Sequence, residues 1–448
     1  MIGTPGSAPT DRLPYLYRMP IYEPGRRIAI IAGVRTPFAK AGTTLRALSA
    51  IELGKIAVSE LVHRTDLDPK TLDLLVFGTV IPNVTAPNIA REVALMPLLP
   101  KGVDAFSVSR ACASANQAIT DAADQLVLGH ANVAIAGGAE SLSNVPILHS
   151  RGFSDALVAA SKAKTLGQRV QAFSKIRGKD FIPITPAIAE PTTGETMGQS
   201  AEKMAKLNGI TREEQDRLAL ASHLNAAAGI ADGRLRAEVA PVVAGPKYEA
   251  VTDDNIVRAD TTFEALSGLK PVFDKRYGTI TAGNASPLTD GGAAVLLMRE
   301  DVAKALGYTP KAYIRSYAYA AVDPGEQLLQ APVLAAPKAL KRAGLTLKDM
   351  DLVEMHEAFA AQVLSNIKGF ESREWAQRAG FSEPTGTVDR AKLNVLGGSV
   401  SIGHPFGATG ARILTTLTNE LARRGGQFGL MTVCAAGGLG HAMVVERA

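Results

Sequence analysis

One pattern occurs twice in this chain of 448 residues and constrains its fold more than any other feature. Each copy runs through a turn of small residues, a helical stretch, a glycine, an apolar strand and a glycine pair. The copies cover residues 112–138 and 407–438 and share little sequence identity. Helices that alternate with buried strands in this way predict an α/β protein built of two similar halves.

Local patterns predict individual elements around these copies. An Ala-rich stretch without proline, residues 113–128, stops at Gly129 and predicts a helix. Residues 132–136 should follow as a buried strand closed by the Gly137-Gly138 pair. Further predicted elements are strands over 103–108, 351–355 and 428–433 and a helix over 411–424.

Composition along the chain predicts four parts. Residues 1–27 form an N-terminal arm with five prolines and without the apolar core of a secretory signal. Residues 28–140 and 289–308 form an N-terminal half, and residues 309–448 form a C-terminal half. Residues 141–288 differ, with many charges and few long apolar strands, and predict an inserted loop domain.

The inserted region contains a basic amphipathic segment, residues 151–179. Its apolar side chains recur at near-helical spacing, and lysines and arginines lie between and just beyond them. Such a stripe commonly covers its own domain. The alternative is contact with a membrane surface or a partner subunit.

Charge and cysteine content exclude several classes of protein. The formal net charge is +5, but no basic run is interleaved with aromatic residues as in nucleic-acid binders. The two cysteines exclude a disulfide framework, which favours a reducing, cytoplasmic location, and no metal-ligand spacing predicts a metal site. No dinucleotide or Walker motif and no transmembrane-length apolar run occurs.

Two residues at strand-to-helix turns are candidates for chemistry. Cys112 follows a predicted buried strand and precedes a helix, whose N-terminal N–H groups would lower the pKa of its thiol. His404 lies among glycines and Pro405 on a tight loop, where its imidazole could take the Cys112 proton. The alternatives are an inert core cysteine and a structural turn histidine.

Two more candidates lie at strand ends in the last third of the chain. Cys434 ends a predicted strand and precedes a Gly-rich turn, whose backbone N–H groups can approach a ligand closely. His356 follows a strand directly, at the sheet edge where α/β proteins bind ligands. A histidine alone in that position is more often structural.

Together these motifs resemble those of the thiolase family. The matching segments are Cys-Ala-Ser-Ala-Asn-Gln-Ala from Cys112, His-Glu-Ala-Phe from His356, Gly-His-Pro around His404 and Cys-Ala-Ala-Gly-Gly-Leu-Gly from Cys434. Residues 33–38 and 281–286 resemble further thiolase segments, and the likeness covers roughly residues 28–448. The resemblance implies a five-layered αβαβα fold of two duplicated halves with an inserted loop domain.

The resemblance also implies a reaction. The enzyme would be an acyltransferase that cleaves 3-ketoacyl-CoA with coenzyme A into acetyl-CoA and a shortened acyl-CoA in fatty-acid β-oxidation. Coenzyme A would be a co-substrate, and no other cofactor is implied. Cys112 would take the acyl group, His404 would activate Cys112, and Cys434 would move the proton at the α-carbon of acetyl-CoA.

Binding roles follow from the same resemblance. His404 and a water held by His356 would form one oxyanion hole, and the backbone N–H groups of Cys112 and Ala436 would form the other. Ala282 and Ser286 match positions that contact the pantetheine arm of coenzyme A. Pro287 departs from the family pattern, in which many members have glycine.

His356 also departs from many thiolases, which have Asn there. This histidine, the segment Gly-Gly-Ser-Val-Ser-Ile-Gly-His-Pro that ends at Pro405, and Cys-Ala-Ala-Gly-Gly from Cys434 are more similar to the β-subunit of the fatty-acid oxidation trifunctional complex, as are residues 147–169. That likeness implies a homodimer or homotetramer, a hydratase/dehydrogenase α-subunit as partner, and peripheral membrane contact through residues 151–179.

Three other functions compete with this interpretation. A condensing enzyme of fatty-acid or polyketide synthesis shares the fold, but Cys434 argues against it because such enzymes generally lack a second catalytic cysteine. A biosynthetic thiolase that joins two acetyl-CoA molecules differs in its chain-length pocket, which the sequence does not reveal. A non-catalytic lipid-binding or scaffold subunit would not need Cys112, His404 and Cys434 together.

Overall fold

The computed structural model describes residues 25–184, 189–245 and 248–448. The predicted N-terminal arm therefore lies almost entirely outside the described residues. The first elements along the chain are β1 (Ile28–Arg35), β2 (Ala39–Lys40), α1 (Ala50–Arg64), β3 (Leu74–Gly78), α2 (Ile89–Ala94), β4 (Asp104–Val108), α3 (Ser114–Leu128) and β5 (Val133–Glu140).

The middle of the chain combines helices, loops and one short strand pair. Its elements are α4 (Arg151–Lys162), α5 (Leu166–Ala172), α6 (Met197–Leu207), α7 (Arg212–Ala231), β6 (Val242–Ala244), β7 (Glu249–Val251) and α8 (Phe263–Ser267). Strands β6 and β7 pair only with each other among the described residues.

The last part returns to long strands. Its elements are β8 (Thr289–Arg299), α9 (Glu300–Ala305), β9 (Ala312–Ala321), α10 (Pro332–Ala343), β10 (Leu352–Met355), α11 (Ala360–Phe370), α12 (Arg373–Arg378), α13 (Ser399–Ile402), α14 (Thr409–Arg424), β11 (Phe428–Ala435) and β12 (Leu439–Arg447).

Strand order repeats between the two halves. The first half has the order β1-β8-β5-β3-β4, and the second has β9-β12-β11-β10, extended by a parallel bridge from Val353 to Leu393. In both halves the first two pairings are antiparallel and the rest are parallel. The halves join where β1 pairs antiparallel with β9. The predicted duplication is therefore visible in the hydrogen bonding.

Helices and sheets stack in five layers because the central strands are apolar on both faces. In β1, Ile28 and Ile30 face the inner core, and Ala29 and Ile31 face the opposite, outer core. The inner core contains α3 and α14 between the two sets of strands. Helices α1 and α2 cover the outer face of the first half, and α10 to α12 cover that of the second. The order is αβαβα, as the resemblance to thiolases implied.

The end of β5 differs from the prediction. The sequence predicts that Gly137 and Gly138 close the strand, but β5 continues through them to Glu140. A Cβ atom on Gly138 would overlap the carbonyl oxygens of Gly407 and Gly78. The glycine pair therefore permits close backbone packing inside the strand and does not end it.

Gly138→Ala should destabilise the protein because backbone atoms on two other segments block the added methyl group. The expected cost is about 1–3 kcal/mol, seen as a lower thermal unfolding midpoint. Gly102→Ala is the matched control, since a Cβ atom there has no neighbour within 4 Å. Equal midpoints for the two variants would contradict the proposed close packing.

Candidate active site

Cys112 lies on a tight turn between β4 and α3. Ala111, directly before it, adopts a left-handed backbone conformation with φ of 45°, which is uncommon for a residue with a side chain. Ser114 closes the turn, accepting a hydrogen bond from the Arg110 backbone N–H at 2.8 Å and donating one to the Ala111 carbonyl at 2.7 Å. The turn therefore holds the thiol in one position at the start of α3.

Two backbone N–H groups reach the Cys112 sulfur, one from Ala436 and one from Cys112 itself. The sequence predicted a lowered thiol pKa at this helix start, and that prediction was wrong. Burial raises the pKa of Cys112 to about 12 because desolvation of a thiolate outweighs the two N–H groups. The resting residue is therefore a thiol, which needs a base.

Two histidines face this thiol. Their ring centroids are 4.1 Å apart, and the ligating atoms of Cys112, His356 and His404 all lie within 4.8 Å of one another. This spacing could also hold a metal ion, which the sequence pattern did not predict. The Nε2 atoms of both histidines are buried and make no hydrogen bond among the described residues. Both rings are thus available to chemistry at the thiol.

Both imidazoles are neutral at neutral pH. Burial, and less strongly the charge of Arg412, lowers the pKa of His404 to about 3. Burial, then His404 and Arg412, lowers the pKa of His356 well below its ordinary value. A neutral imidazole can accept a proton at one nitrogen and donate from the other.

Cys434 lies beside Cys112, as the penultimate residue of β11. Burial first, and then the neighbouring Cys112, raises the pKa of its thiol well above the ordinary value. Gly437 and Gly438 follow in left-handed conformations, with φ of 81° and 70°, and turn the chain back into β12. All four predicted catalytic side chains therefore converge on one site.

The loop that contains His404 lies in the second half but is hydrogen-bonded to residues of the first half. The His404 N–H donates to Thr289 Oγ1 at 3.0 Å, at the start of β8. The Gly407 N–H donates to Glu140 Oε2 at 3.0 Å, and the same carboxylate also accepts from Val80 and Ile81 N–H groups. Burial raises the pKa of Glu140 to about 7 despite these hydrogen bonds. Glu140 was not predicted as a site residue. The feature that could have identified it is a carboxylate at the end of a wholly buried strand.

A cleft of about 370 Å³ is lined in part by Val400 and Pro287. Leu288, next to Pro287, forms a β-bridge with His404. Ala282 lines this cleft as well. Ser286 lies next to Pro287, with its backbone N–H donating to the Ala358 carbonyl at 3.0 Å. Five polar residues of the lining were not predicted: Lys40, His223, Asn255, Arg258 and Thr261.

Family models identify the class of protein that this fold and site define. One described as the N-terminal domain of thiolase matches residues 28–301, and one described as its C-terminal domain matches residues 308–447. The chain belongs to the thiolase family and is an acyltransferase enzyme. The predicted family and fold class are confirmed.

Two bacterial proteins are similar to this chain over nearly its whole length. The chain is 52% identical over 423 residues to a 3-ketoacyl-CoA thiolase of Pectobacterium atrosepticum, covering 94% of this chain and 97% of the relative. A protein of the same name from Yersinia enterocolitica is 50% identical over the same shares of both chains.

Two solved structures are similar to this chain in fold over nearly its whole length. Human mitochondrial 3-ketoacyl-CoA thiolase in complex with CoA is 32% identical with a TM-score of 0.79, covering 95% of this chain and 98% of that one. Bacillus anthracis acetyl-CoA acetyltransferase is 34% identical with a TM-score of 0.81, covering 94% and 99%.

Alkylation should report the protonation state of Cys112. With the pKa of its thiol raised to about 12, the thiolate fraction increases about tenfold per pH unit between pH 7 and 10. Inactivation by iodoacetamide should accelerate over that whole range, whereas an ordinary cysteine levels off above its pKa of about 8.5. Peptide mass mapping separates Cys112 from the buried Cys434. A plateau below pH 9 would show that the pKa of Cys112 is not raised, which would contradict the expected resting thiol.

Proposed function

We propose that this chain cleaves 3-ketoacyl-CoA with coenzyme A, giving acetyl-CoA and an acyl-CoA shortened by two carbons. The observation that carries the proposal is the convergence of Cys112 with His356 and His404 within 4.8 Å, next to the second thiol of Cys434. Relatives that are 50–52% identical over nearly the whole chain bear the name of this reaction.

The first half-reaction breaks the bond between C2 and C3 of the substrate. The Cys112 sulfur attacks the C3 carbonyl carbon while Nε2 of His404 takes the thiol proton. Because the pKa of the thiol is raised and that of the imidazole lowered, this transfer accompanies the attack and does not precede it. Collapse of the C3 alkoxide releases the enolate of acetyl-CoA, which takes the proton of Cys434 at C2.

The second half-reaction returns both sulfurs to their starting state. The Cys434 thiolate removes the thiol proton of incoming coenzyme A, whose sulfur attacks the acyl carbon on Cys112. The Cys112 sulfur leaves and recovers its proton from protonated His404. Every proton that leaves a sulfur is thus returned within one turnover. Cys112 carries the acyl group, and Cys434 transfers protons.

Each half-reaction develops negative charge on an oxygen. The backbone N–H groups of Cys112 and Ala436 meet at the Cys112 sulfur, beside the position that a thioester oxygen would occupy. The buried Nε2 atoms of His356 and His404 face the same space, and His356 would hold a water there. Loss of one such donor typically raises the barrier by about 3–4 kcal/mol.

The cleft of about 370 Å³ is the proposed site for coenzyme A. Ala282 and Val400 line it, and Ser286 lies at its edge beside Pro287, which suits a narrow pantetheine arm. Arg258 and Lys40 supply positive charge for phosphate groups. No other cofactor enters the proposed reaction.

Replacing Cys112 and Cys434 separately should distinguish acyl transfer from proton transfer. Cys112→Ala should abolish 3-ketoacyl-CoA cleavage and the acyl adduct on the intact protein, seen by mass spectrometry. Cys434→Ala should slow cleavage roughly 100-fold or more, because the enolate loses its proton donor. Cys112 in that variant should still react with iodoacetamide, which shows that the site has kept its structure.

Substrates of graded length decide between the degradative and the biosynthetic role. Cleavage of long 3-ketoacyl-CoA substrates supports the role in fatty-acid β-oxidation. Activity confined to acetoacetyl-CoA would support the biosynthetic alternative instead. An intact protein without any CoA-dependent cleavage would contradict the proposed function and favour a scaffold role.

We also propose the domain division and assembly that the sequence indicated. Residues 28–140 and 289–308, residues 309–448, and the inserted residues 141–288 would form the two halves and the loop domain. A cytoplasmic homodimer or homotetramer, with a hydratase/dehydrogenase α-subunit as partner, fits the half-exposed edge strand β4, which has a neighbour on one side only among the described residues.

Peripheral membrane contact is proposed for residues 151–179. Ala156 is the only buried residue of α4, and Leu157, Leu166 and Val170 are 44%, 77% and 67% exposed. Lysines and arginines of the same segment would meet anionic headgroups. Among the described residues, no helix combines the length and apolarity that crossing a bilayer requires.

Flotation with vesicles that contain phosphatidylglycerol tests this contact. Replacing Leu157, Leu166 and Val170 together by serine should reduce bound protein at least about tenfold, because three apolar side chains no longer enter the interface. Serine at Leu128, Leu207 and Val243, which are 64%, 63% and 57% exposed elsewhere, is the matched control. Equal flotation of the two triple variants would contradict the proposal.

A further inference from the structure

His356 takes part in a short hydrogen-bonded chain that leads away from the site. Its Nδ1 atom lies 2.9 Å from Ser399 Oγ, and the same Oγ accepts a hydrogen bond from Arg412 Nη2 at 3.0 Å. Ser399 and Arg412 are both completely buried. These are the two hydrogen bonds that the Ser399 hydroxyl makes among the described residues.

The direction of these hydrogen bonds follows from the available protons. A guanidinium can only donate, so Ser399 Oγ is the acceptor from Arg412. The hydroxyl proton of Ser399 then has one neighbouring acceptor, the Nδ1 atom of His356. Because Nδ1 accepts, the proton of the neutral imidazole must be on Nε2, which faces Cys112 and His404.

His404 has the opposite arrangement. Its Nδ1 atom lies 2.6 Å from Thr409 Oγ1, and that hydroxyl donates to the Pro405 carbonyl at 3.2 Å. With its proton directed to a carbonyl, Thr409 Oγ1 accepts from Nδ1–H of His404. The Nε2 atom of His404 is then unprotonated and can act as a base.

We propose that Arg412 and Ser399 are positioning residues that hold His356 in its Nε2–H tautomer, making it a hydrogen-bond donor to the reacting oxygen or its bound water. This inference rests on the proposed function and deepens it. One hydroxyl holds His356 as a donor, and another holds His404 as an acceptor. The two adjacent rings thereby have different roles before substrate arrives.

The surroundings of Arg412 favour this arrangement. Burial lowers the pKa of Arg412, and the neighbouring buried carboxyl groups of Glu354, Glu357 and Glu238 act in the opposite direction, towards the charged guanidinium. The same charge disfavours protonation of His356. Arg412 thus fixes the tautomer through Ser399 and keeps the imidazole neutral through space.

Nuclear magnetic resonance of the whole protein tests the tautomer directly. Two-bond proton–nitrogen spectra of protein labelled with ¹⁵N-histidine show which ring nitrogen carries the proton for each of the seven histidines. The His356 signals are those missing from the His356→Asn variant. A protonated Nε2 and a bare Nδ1 are expected, and a protonated Nδ1 would overturn the proposal.

A double-mutant cycle tests the role in catalysis. Ser399→Ala should lower kcat for 3-ketoacyl-CoA cleavage roughly 10- to 100-fold with a smaller change in KM, because His356 is free to change tautomer. In a His356→Asn background, the same substitution should lower kcat less than about twofold. An equal loss in both backgrounds would show that Ser399 acts structurally and would overturn the proposal.

Ser401→Ala is the matched control. Ser401 is a second buried hydroxyl of α13, but it contacts Ser222 and the Gly398 carbonyl and makes no hydrogen bond to His356. It should leave the His356 spectrum unchanged, whereas Ser399→Ala should give a mixture of tautomers. Should the wild-type protein cleave no 3-ketoacyl-CoA, the proposed function fails, and the spectra still decide the tautomer.

Discussion

Backbone contact among three glycines holds the two halves of this protein in register. Gly78 ends β3, Gly138 lies within β5, and Gly407 follows the His404 loop of the other half. A Cβ atom on Gly138 or Gly407 would meet a carbonyl oxygen of another of these segments. Cys112 comes from the first half, and His404 and Cys434 come from the second. The distance between the Cys112 thiol and the His404 imidazole therefore depends on an approach that only glycine permits.

Burial decides the charge state of the site that this contact creates. The two N–H groups at the Cys112 sulfur favour a thiolate, but desolvation outweighs them and raises the pKa of Cys112 to about 12. Desolvation also keeps His404 and His356 neutral. The resting site thus holds no ion pair, and proton transfer is coupled to attack on the substrate.

Elements with a strong local signal were predicted well. The Ala-rich stretch 113–128 is helix α3 over Ser114–Leu128, and Gly129 ends it in the left-handed conformation. Strand β5 was predicted too short. A glycine pair can end a strand or allow another backbone to pack closely against it, and the sequence does not distinguish the two cases. Motif spacing found the four catalytic candidates, but no pattern in the sequence links Ser399 and Arg412 to His356, which they contact only in the folded protein.

The sequence by itself determined the duplicated α/β architecture, the thiolase family and the candidates for the reacting side chains. These depend on local periodicity and on motifs that keep their order along the chain. The tertiary structure alone decided the thiol pKa, the hydrogen-bond partners of His356 and His404, and the contact between the two halves. Each of these depends on desolvation or on hydrogen bonds between residues far apart in sequence, and neither quantity has a local signature.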